Sequence, residues 1–396
     1  MERIEEGGTL GAVAQPLTPQ FWRTVLDKLR LRIEAEGLDG ILVLDANNIT
    51  YATGFFHIAN ERPLGLYVPV AGKPMLLVAE LEREHAEATW ISDVRTYPEF
   101  PGEEHPVLWM VRETGAKRLG IDTIEARLLH PLEVMLEKLV LTDAVEKLRA
   151  IKTEEELALV RAAAGYADFV LETVEKEAAD IIRQGGTEQD ILAAGFAATQ
   201  ARMRKELGGR FGGAKNALLG TVHTGERAAF PHGKTLARTP LAGEVMIVGI
   251  GTAVGGYHAE SAVTFVLGDP TADQRRCLTA AMACNDAGVA GLTVGATCES
   301  VNRAAVKALE DAGLGNTIRH RIGHGMGVHN HEAPWLAPGD RTPVDVGMVF
   351  SNEPGIYRPG VDGYRLINTM IVGAKGVEIP SLFQGRHGID DLVIGI

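Results

Sequence analysis

The sequence predicts an α/β protein built from two domains. Its 396 residues exceed what one hydrophobic core usually serves, so two domains are expected. Short apolar segments alternate with amphipathic helical segments over about the first 145 residues. A strong helix start at Thr153 follows, and strand-like segments are frequent beyond Ala214. We therefore place the boundary near Ala150, which gives domains 1–150 and 151–396.

Helical and extended patterns alternate in the N-terminal domain. Apolar residues recur at helical spacing over Thr18–Gly37, where the glycine ends the helix. Gly40–Leu44 is predicted as a buried strand, and Leu64–Pro69 and Pro74–Val78 as a strand pair joined by an Ala-Gly turn. Further helices are predicted at Leu81–Trp90, His105–Thr114 and Leu128–Leu139.

The C-terminal domain begins with two predicted helices. Thr153 is an N-cap, and three glutamates follow it in the first turn, where the helix dipole favours acidic side chains. This helix should run to about Ile182, and a second one covers Glu188–Lys205. Strands are predicted at Val245–Ile250, Tyr257–Leu267, Val349–Asn352 and Thr369–Val372, with helices at Asp273–Ala290 and Cys298–Ala312. A sheet backed by helices accounts for this order.

Composition argues against several classes of partner. The net charge of −13 disfavours binding to nucleic acid or to an anionic membrane surface. The three cysteines lack CxxC spacing, which argues against a disulfide framework or zinc knuckle and fits a reducing compartment. Met1–Pro16 lacks the basic and apolar segments of a signal peptide. We therefore expect a cytoplasmic protein without membrane or nucleic-acid partners.

Three segments carry the residue types of an active site. His232 lies between Pro231 and Gly233, in a turn that exposes an imidazole able to transfer protons near neutral pH. Residues 323–334 hold three glycines, a glutamate and the histidines His324, His329 and His331. Glu353 ends an apolar strand and precedes a Pro-Gly turn, a rigid position for a ligand or a base. Solvated histidines in turns and a turn-capping glutamate are the simpler alternatives.

Three further residues are candidates for binding a substrate. Glu260 lies in an otherwise apolar strand, where a lone carboxylate is costly without a partner. Arg365 and Arg62 each follow a turn-forming segment, and each is more commonly a surface cation than a substrate clamp.

Together these segments resemble the "pita-bread" superfamily, which includes prolidase, aminopeptidase P and creatinase. Residues 323–334 and 351–357 match its most specific motifs, and residues 148–163 are similar to its domain junction. The resemblance implies an N-terminal α/β domain, a C-terminal pita-bread domain with pseudo-two-fold symmetry, and a homodimer.

The resemblance also implies a two-metal site that this sequence only partly retains. The family's peptidases use two aspartates, a histidine and two glutamates, and here the histidine is His324 and one glutamate is Glu353. Gly249 stands for the first aspartate, Glu260 for the second, and Ile367 for the last glutamate. Glycine and isoleucine supply no oxygen ligand, so a two-metal bridge is not expected.

Creatinase, the metal-free member of the superfamily, sets the leading functional hypothesis. His232 matches its catalytic histidine, and Arg62 resembles the arginine that binds a substrate carboxylate in the partner subunit's site. Ala262 and Trp335 depart from its remaining substrate-binding residues. We expect a metal-independent hydrolase, without cofactor, cleaving a C–N bond of a small amidine, guanidino or amide substrate.

Roles in this hypothesis follow from the same match. His232, Glu353 and His324 would be catalytic, while Arg62, Glu260, His331 and Arg365 would bind substrate. One alternative is an Xaa-Pro aminopeptidase or dipeptidase with a degraded or single-metal site, holding one or two ions such as Mn or Zn. A second alternative is a non-catalytic binding protein on the same scaffold.

Overall fold

The computed structural model describes residues 14–396, which divide into two compact units. Residues 16–149 form the N-terminal unit, and residues 150–396 form the C-terminal unit together with residues 14–15. The expectation about a signal peptide in Met1–Pro16 falls almost wholly outside the described residues. Within residues 14–396, no helix combines the length and apolar character needed to cross a bilayer.

The N-terminal unit is a six-stranded mixed sheet with helices. Its strands are β1 Gly40–Val43, β2 Gly65–Pro69, β3 Met75–Ala79, β4 Asp93–Tyr97, β5 Arg118–Ile121 and β6 Lys138–Leu141. They are ordered β4-β3-β2-β1-β5-β6, and only β2 runs antiparallel to its neighbours. The helices are Pro19–Ala35, Ala46–Thr53, Arg83–Glu87, Pro106–Thr114, Ala126–Met135 and Ala144–Arg149.

Two local differences from the predicted elements have clear causes. The helix predicted to reach Leu139 ends at Met135, because β6 pairs in parallel with β5 and uses the following residues as an edge strand. The short helix Ala46–Thr53 was not predicted. Its start is fixed by Asp45, whose carboxylate accepts hydrogen bonds from the backbone of Asn47 and Asn48.

Two mostly antiparallel sheets and a hairpin form the β-structure of the C-terminal unit. The strands are β7 Ala217–Thr224, β8 Val245–Val254, β9 Tyr257–Leu267, β10 Gly323–Gly325, β11 Glu332–Leu336, β12 Val349–Asn352, β13 Gly355–Arg358, β14 Asp362–Arg365, β15 Asn368–Gly373, β16 Gly376–Glu378 and β17 Val393–Ile394. One sheet is ordered β17-β9-β8-β7 and the other β11-β10-β12-β15-β16, while β13 and β14 pair separately. Strand β17 alone joins its neighbour in parallel.

Long helices bury one face of this β-structure. The helices are Glu154–Arg183, Glu188–Leu207, Ala272–Gly291, Cys298–Asp311 and Phe383–Arg386. Thr153 caps the first helix as predicted, with Glu156 completing a capping box. The main core packs apolar residues of this helix, such as Val170, against β8 and β9 residues such as Phe265. The opposite face of β9 carries Glu260 and remains available for a site.

The two sheets meet at the strand that carries Glu260. The Thr369 hydroxyl of β15 accepts from the Glu260 amide at 2.9 Å and donates to the Glu260 carbonyl at 2.8 Å. Two residues further on, Ala262 forms an isolated antiparallel bridge with Ile367. These contacts hold Glu260 at a fixed place between the sheets.

Candidate active site

Glu260 lies near the middle of β9 and points between the two sheets. Its carboxylate accepts a 2.9 Å hydrogen bond from the hydroxyl of Ser351 in β12. The residue is 8% exposed, and burial raises the pKa of this carboxyl. The buried carboxyl therefore requires a proton, a hydrogen-bond donor or a cation as its partner, as its apolar setting in the sequence indicated.

His324 is held on β10 with one ring nitrogen available. Its Nδ1 lies 3.0 Å from the Gly325 carbonyl, which makes Nδ1 the donor of the neutral ring. Burial lowers the pKa of His324 to about 4, so the ring is neutral. The fully buried Nε2 has no hydrogen-bond partner among the described residues. It lies 3.7 Å from Glu260 Oε2 and 3.5 Å from Glu353 Oε1.

His331 completes the group from a neighbouring loop. Its ring stacks on that of His324, with centroids 3.8 Å apart and planes 28° apart. Its Nε2 lies 3.8 Å from Glu260 Oε1. Desolvation and the neighbouring His324 lower the pKa of His331 to about 4, which leaves a neutral imidazole.

Glu353 follows β12 directly and faces the same group. Its amide donates to the Ile322 carbonyl at 2.6 Å, which fixes the turn. Burial and the neighbouring charge of Glu260 raise the pKa of Glu353 to about 8. Two buried carboxyl groups so placed favour a proton or a cation between them.

These residues fit one divalent metal ion. Glu260, His324 and His331 each present a ligand atom, and the three atoms lie within 4.8 Å of one another; we call them the metal-ligating cluster. Two neutral imidazoles and a carboxylate are a donor set that zinc uses in catalytic sites. The unpartnered Nε2 of His324 is the atom that such a ligand must keep free. Gly249 and Ile367 add no ligand atom, so a second ion lacks its donors.

Arg365 places a fixed positive charge beside the two carboxylates. It ends β14 with only 9% of its surface exposed, and its charge lowers the pKa of both Glu260 and Glu353 against the effect of burial. Its Nη1 donates to the Pro231 carbonyl at 2.8 Å.

His232 is exposed on the loop after β7. Its neighbours Pro231 and Gly233 are held through their carbonyls by Arg365 and by His223. This places His232 on a segment attached to the site, although its ring makes no contact with the metal-ligating cluster that the structure records.

Arg62 belongs to the other unit, where it pairs with acidic neighbours. Its Nε donates to Glu99 at 2.7 Å, and Nη1 binds the carboxylate of Glu61. The role predicted for Arg62, binding of a substrate carboxylate, remains a prediction.

Several residues that shape the site were not singled out in the sequence. Lys152 and Glu332 form a buried ion pair next to His331, and Ser351 holds Glu260. The guanidinium of Arg321 lies 4.6 Å above the Trp335 ring, and its charge reaches His324, His331 and Glu353. Arg321 lies just before residues 323–334, and Glu332 is the glutamate noted within that segment, so both had a signal in the sequence. Nothing local indicated Lys152, which lies 180 residues from Glu332.

The metal-ligating cluster lies between the two sheets of the C-terminal unit, and the comparisons with known proteins identify the chain as a hydrolase that acts on peptide C–N bonds. The chain belongs to Metallopeptidase family M24, which matches residues 158–374, and residues 26–151 match the Creatinase/Prolidase N-terminal domain. The predicted superfamily, fold class and hydrolase class are confirmed.

Relatives are similar along nearly the whole chain. An Xaa-Pro dipeptidase from Lactobacillus delbrueckii subsp. lactis is 28% identical over 362 residues, covering 89% of this chain and 95% of the relative. A probable dipeptidase PepE from Mycobacterium tuberculosis is 29% identical over 347 residues, covering 86% and 89%. The structure of dipeptidase PepE from Mycobacterium ulcerans superposes with a TM-score of 0.81 at 25% identity, covering 96% of this chain and all of that one.

The predicted metal-independent, creatinase-like hydrolase without cofactor is wrong. The family is one of metallopeptidases, the relatives are named dipeptidases, and the structure brings together three residues that could hold a metal ion. The prediction gave little weight to donors outside the family's five ligand positions. It assigned His331 to substrate binding, whereas the fold stacks this ring on His324 and turns its Nε2 towards Glu260.

Proposed function

We propose that this protein is a dipeptidase of the Xaa-Pro type with a single divalent metal ion. The observation that carries the proposal is the metal-ligating cluster of Glu260, His324 and His331 within a metallopeptidase fold. The names of its relatives support a small peptide as the substrate class. Hydrolysis of an Xaa-Pro bond is the alternative that the sequence left open.

The three cluster residues would hold the ion, with Glu353 beside them. A bound divalent ion supplies a Lewis acid that polarises a carbonyl group and makes a coordinated water more acidic. The neutral state of both imidazoles suits this role, because a protonated ring has no lone pair to give. Ser351 orients the Glu260 carboxylate through its hydroxyl.

Glu353 is the residue suited to accept a proton from the attacking water. Its Oε1 lies 3.5 Å from Nε2 of His324, so its carboxylate faces the atoms that would hold the ion. His232, exposed on its loop, would protonate the leaving nitrogen. We therefore assign the acceptor role to Glu353 and the donor role to His232.

Cationic side chains near the cluster suit a peptide with a free carboxylate. Arg321 stacks on Trp335 and donates from Nε to the Gly323 carbonyl at 3.1 Å, and its charge lowers the pKa of His331, so its guanidinium is a candidate to bind that carboxylate. Arg365 is already engaged with Pro231 and lies deeper in the protein. We further predict that Arg62 of the partner subunit in a homodimer contacts the same carboxylate end of the substrate.

Metal content and peptide cleavage test the proposal together. Purified protein loaded with Mn or Zn should contain about one equivalent per chain and cleave Xaa-Pro dipeptides. Chelation should abolish cleavage, and adding the ion should restore it. The variant His324→Ala should lose both the ion and the activity, whereas His130→Ala, which removes an exposed histidine from the N-terminal unit, should keep both. Cleavage that persists after the metal is stripped would contradict the proposal, as would inert protein that carries one ion.

A further inference from the structure

Arg365 occupies a space that only a glycine at position 249 leaves open. Gly249 in β8 lies between Thr221 of β7 and Ala262 of β9, on the sheet face that also carries Glu260. A Cβ atom built on Gly249 would overlap Nη2 of Arg365. Any side chain at this position would therefore displace the guanidinium.

Arg365 is held both at its backbone and at the end of its side chain. At the backbone, the Arg365 amide donates to the Thr264 hydroxyl at 2.8 Å, and the same hydroxyl donates to the Arg365 carbonyl at 3.0 Å. At the tip, Nη1 donates to the Pro231 carbonyl at 2.8 Å. The side chain thus connects the sheet face to the loop that carries His232.

A second anchor lies on the other side of His232. The ring Nε2 of His223, in β7, is hydrogen-bonded to the Gly233 carbonyl. Burial and the charge of Arg365 lower the pKa of His223 to about 4, so the ring is neutral and Nε2 carries the donated proton. The carbonyls of both residues that flank His232 are therefore held by buried side chains.

We propose that Arg365 is a positioning residue for His232, acting through the Pro231 carbonyl, and that Gly249 is required to admit it. The part of His232 in catalysis rests on the proposed function. The positioning itself does not, because it follows from the contacts of Arg365, Gly249 and Pro231.

A pair of glycine variants isolates this contact. Gly249→Ala adds a methyl group that meets only the flexible end of Arg365, so the backbone can stay in place. Gly251→Ala is the matched control, because it lies on the same strand and the same face. A Cβ there would meet Leu219 at 3.8 Å and Glu260 at 4.0 Å, which are ordinary contacts. A third variant, Arg365→Gln, removes the long guanidinium directly.

The first measurement is the ring resonance of His232 in protein labelled with 13C-histidine, assigned with His232→Gln. The wild type and Gly251→Ala should share one narrow signal. Gly249→Ala and Arg365→Gln should shift or broaden it in the same way, and the double variant should add nothing further, since both changes break one contact. Circular dichroism confirms that each variant is folded, and Arg365→Gln serves alone if Gly249→Ala does not fold.

The second measurement separates kcat from KM for a cleaved dipeptide. In Gly249→Ala, kcat should fall about 10- to 100-fold with KM nearly unchanged, the loss expected when a catalytic group moves by ~1 Å. Bound metal should stay at the wild-type content. An unchanged His232 signal in folded Gly249→Ala and Arg365→Gln would overturn the inference. Because that signal needs no substrate, it is independent of whether the protein proves to be a dipeptidase.

Discussion

The ammonium group of Lys152 lies 2.8 Å from a carboxylate oxygen of Glu332, and the two side chains are 2% and 8% exposed. Lys152 immediately precedes the capped start of helix Glu154–Arg183, and Glu332 follows His331. Gly327 lies against both side chains, where a Cβ atom would crowd them. The ion pair therefore ties the loop that carries His331 to the beginning of the longest helix.

Breaking this pair should destabilise the C-terminal unit. Lys152→Met removes the cation that pairs with a buried carboxylate, and we expect a loss of about 3–5 kcal/mol in the free energy of unfolding. Urea unfolding measures the loss. The double variant Lys152→Met/Glu332→Leu should recover most of it, because no charge stays buried. Lys307→Met is the control, since its ion pair with Asp311 is exposed and should matter little. Equal effects at the two lysines would contradict this account.

Metal should stabilise the protein through the metal-ligating cluster. An ion that binds only the folded state adds about 2.7 kcal/mol to the free energy of unfolding at 100 times its Kd. Thermal unfolding with added Mn or Zn should therefore show a rise in Tm that chelator reverses. His331→Ala should remove most of this rise, because its ring offers one of the three ligand atoms of the cluster. A rise of the same size in His331→Ala would show that the ion binds elsewhere.

Asp168 should make stability depend on pH. Burial raises the pKa of this carboxyl from 3.8 to about 7, although it accepts hydrogen bonds from Ser261 and Phe383. The folded state thus binds the proton more tightly than the unfolded chain does. Its contribution to stability is full below pH 3.8 and is lost as the pH rises through about 7.

Unfolding free energies of the wild type and Asp168→Asn between pH 4 and pH 8, measured in urea, test this dependence. The asparagine stays neutral, so its curve should fall less steeply with pH between about 4 and 7. Asp180→Asn, on the exposed part of the same helix, should follow the wild-type curve. Parallel curves for Asp168→Asn and the wild type would be the contrary result.

Strands β10 and β12 approach so closely at Gly323 that this position should tolerate no side chain. A Cβ atom there would overlap the Ser351 carbonyl, which is backbone and cannot move aside cheaply. We expect Gly323→Ala to cost about 1–3 kcal/mol and to lower the bound metal, because the neighbouring His324 must shift. Urea unfolding and elemental analysis measure the two effects. Gly209→Ala, in open space, is the control and should change neither.

Local patterns predicted the helices of the C-terminal unit well. The N-cap at Thr153 and the run of acidic residues after it specify a helix start by backbone chemistry alone, and the structure has the helix at Glu154–Arg183. Strand β7 was missed, because its pairing with β8, rather than its own apolar pattern, makes residues 217–224 a strand. Strand pairing also explains why the helix predicted to reach Leu139 ends at Met135. Residues 138–141 form β6, which pairs with β5.

The sequence by itself determined the superfamily and which residues carry polar chemistry. Short motifs such as Gly323–Gly325 with its central histidine, or Glu353 before a Pro-Gly turn, constrain the backbone locally and can be recognised without a structure. The replacement of two family ligands by Gly249 and Ile367 is likewise visible in the sequence.

Only the tertiary structure decided how those residues combine. The stacking of His331 on His324 and the filling of the space beside Gly249 by Arg365 join residues from different strands and loops. Metal binding depends on ligand atoms converging within a few ångströms and on their burial, and neither property is local to the chain. For this reason the missing ligands alone led to a metal-free prediction, whereas the fold brings together enough donors for one ion.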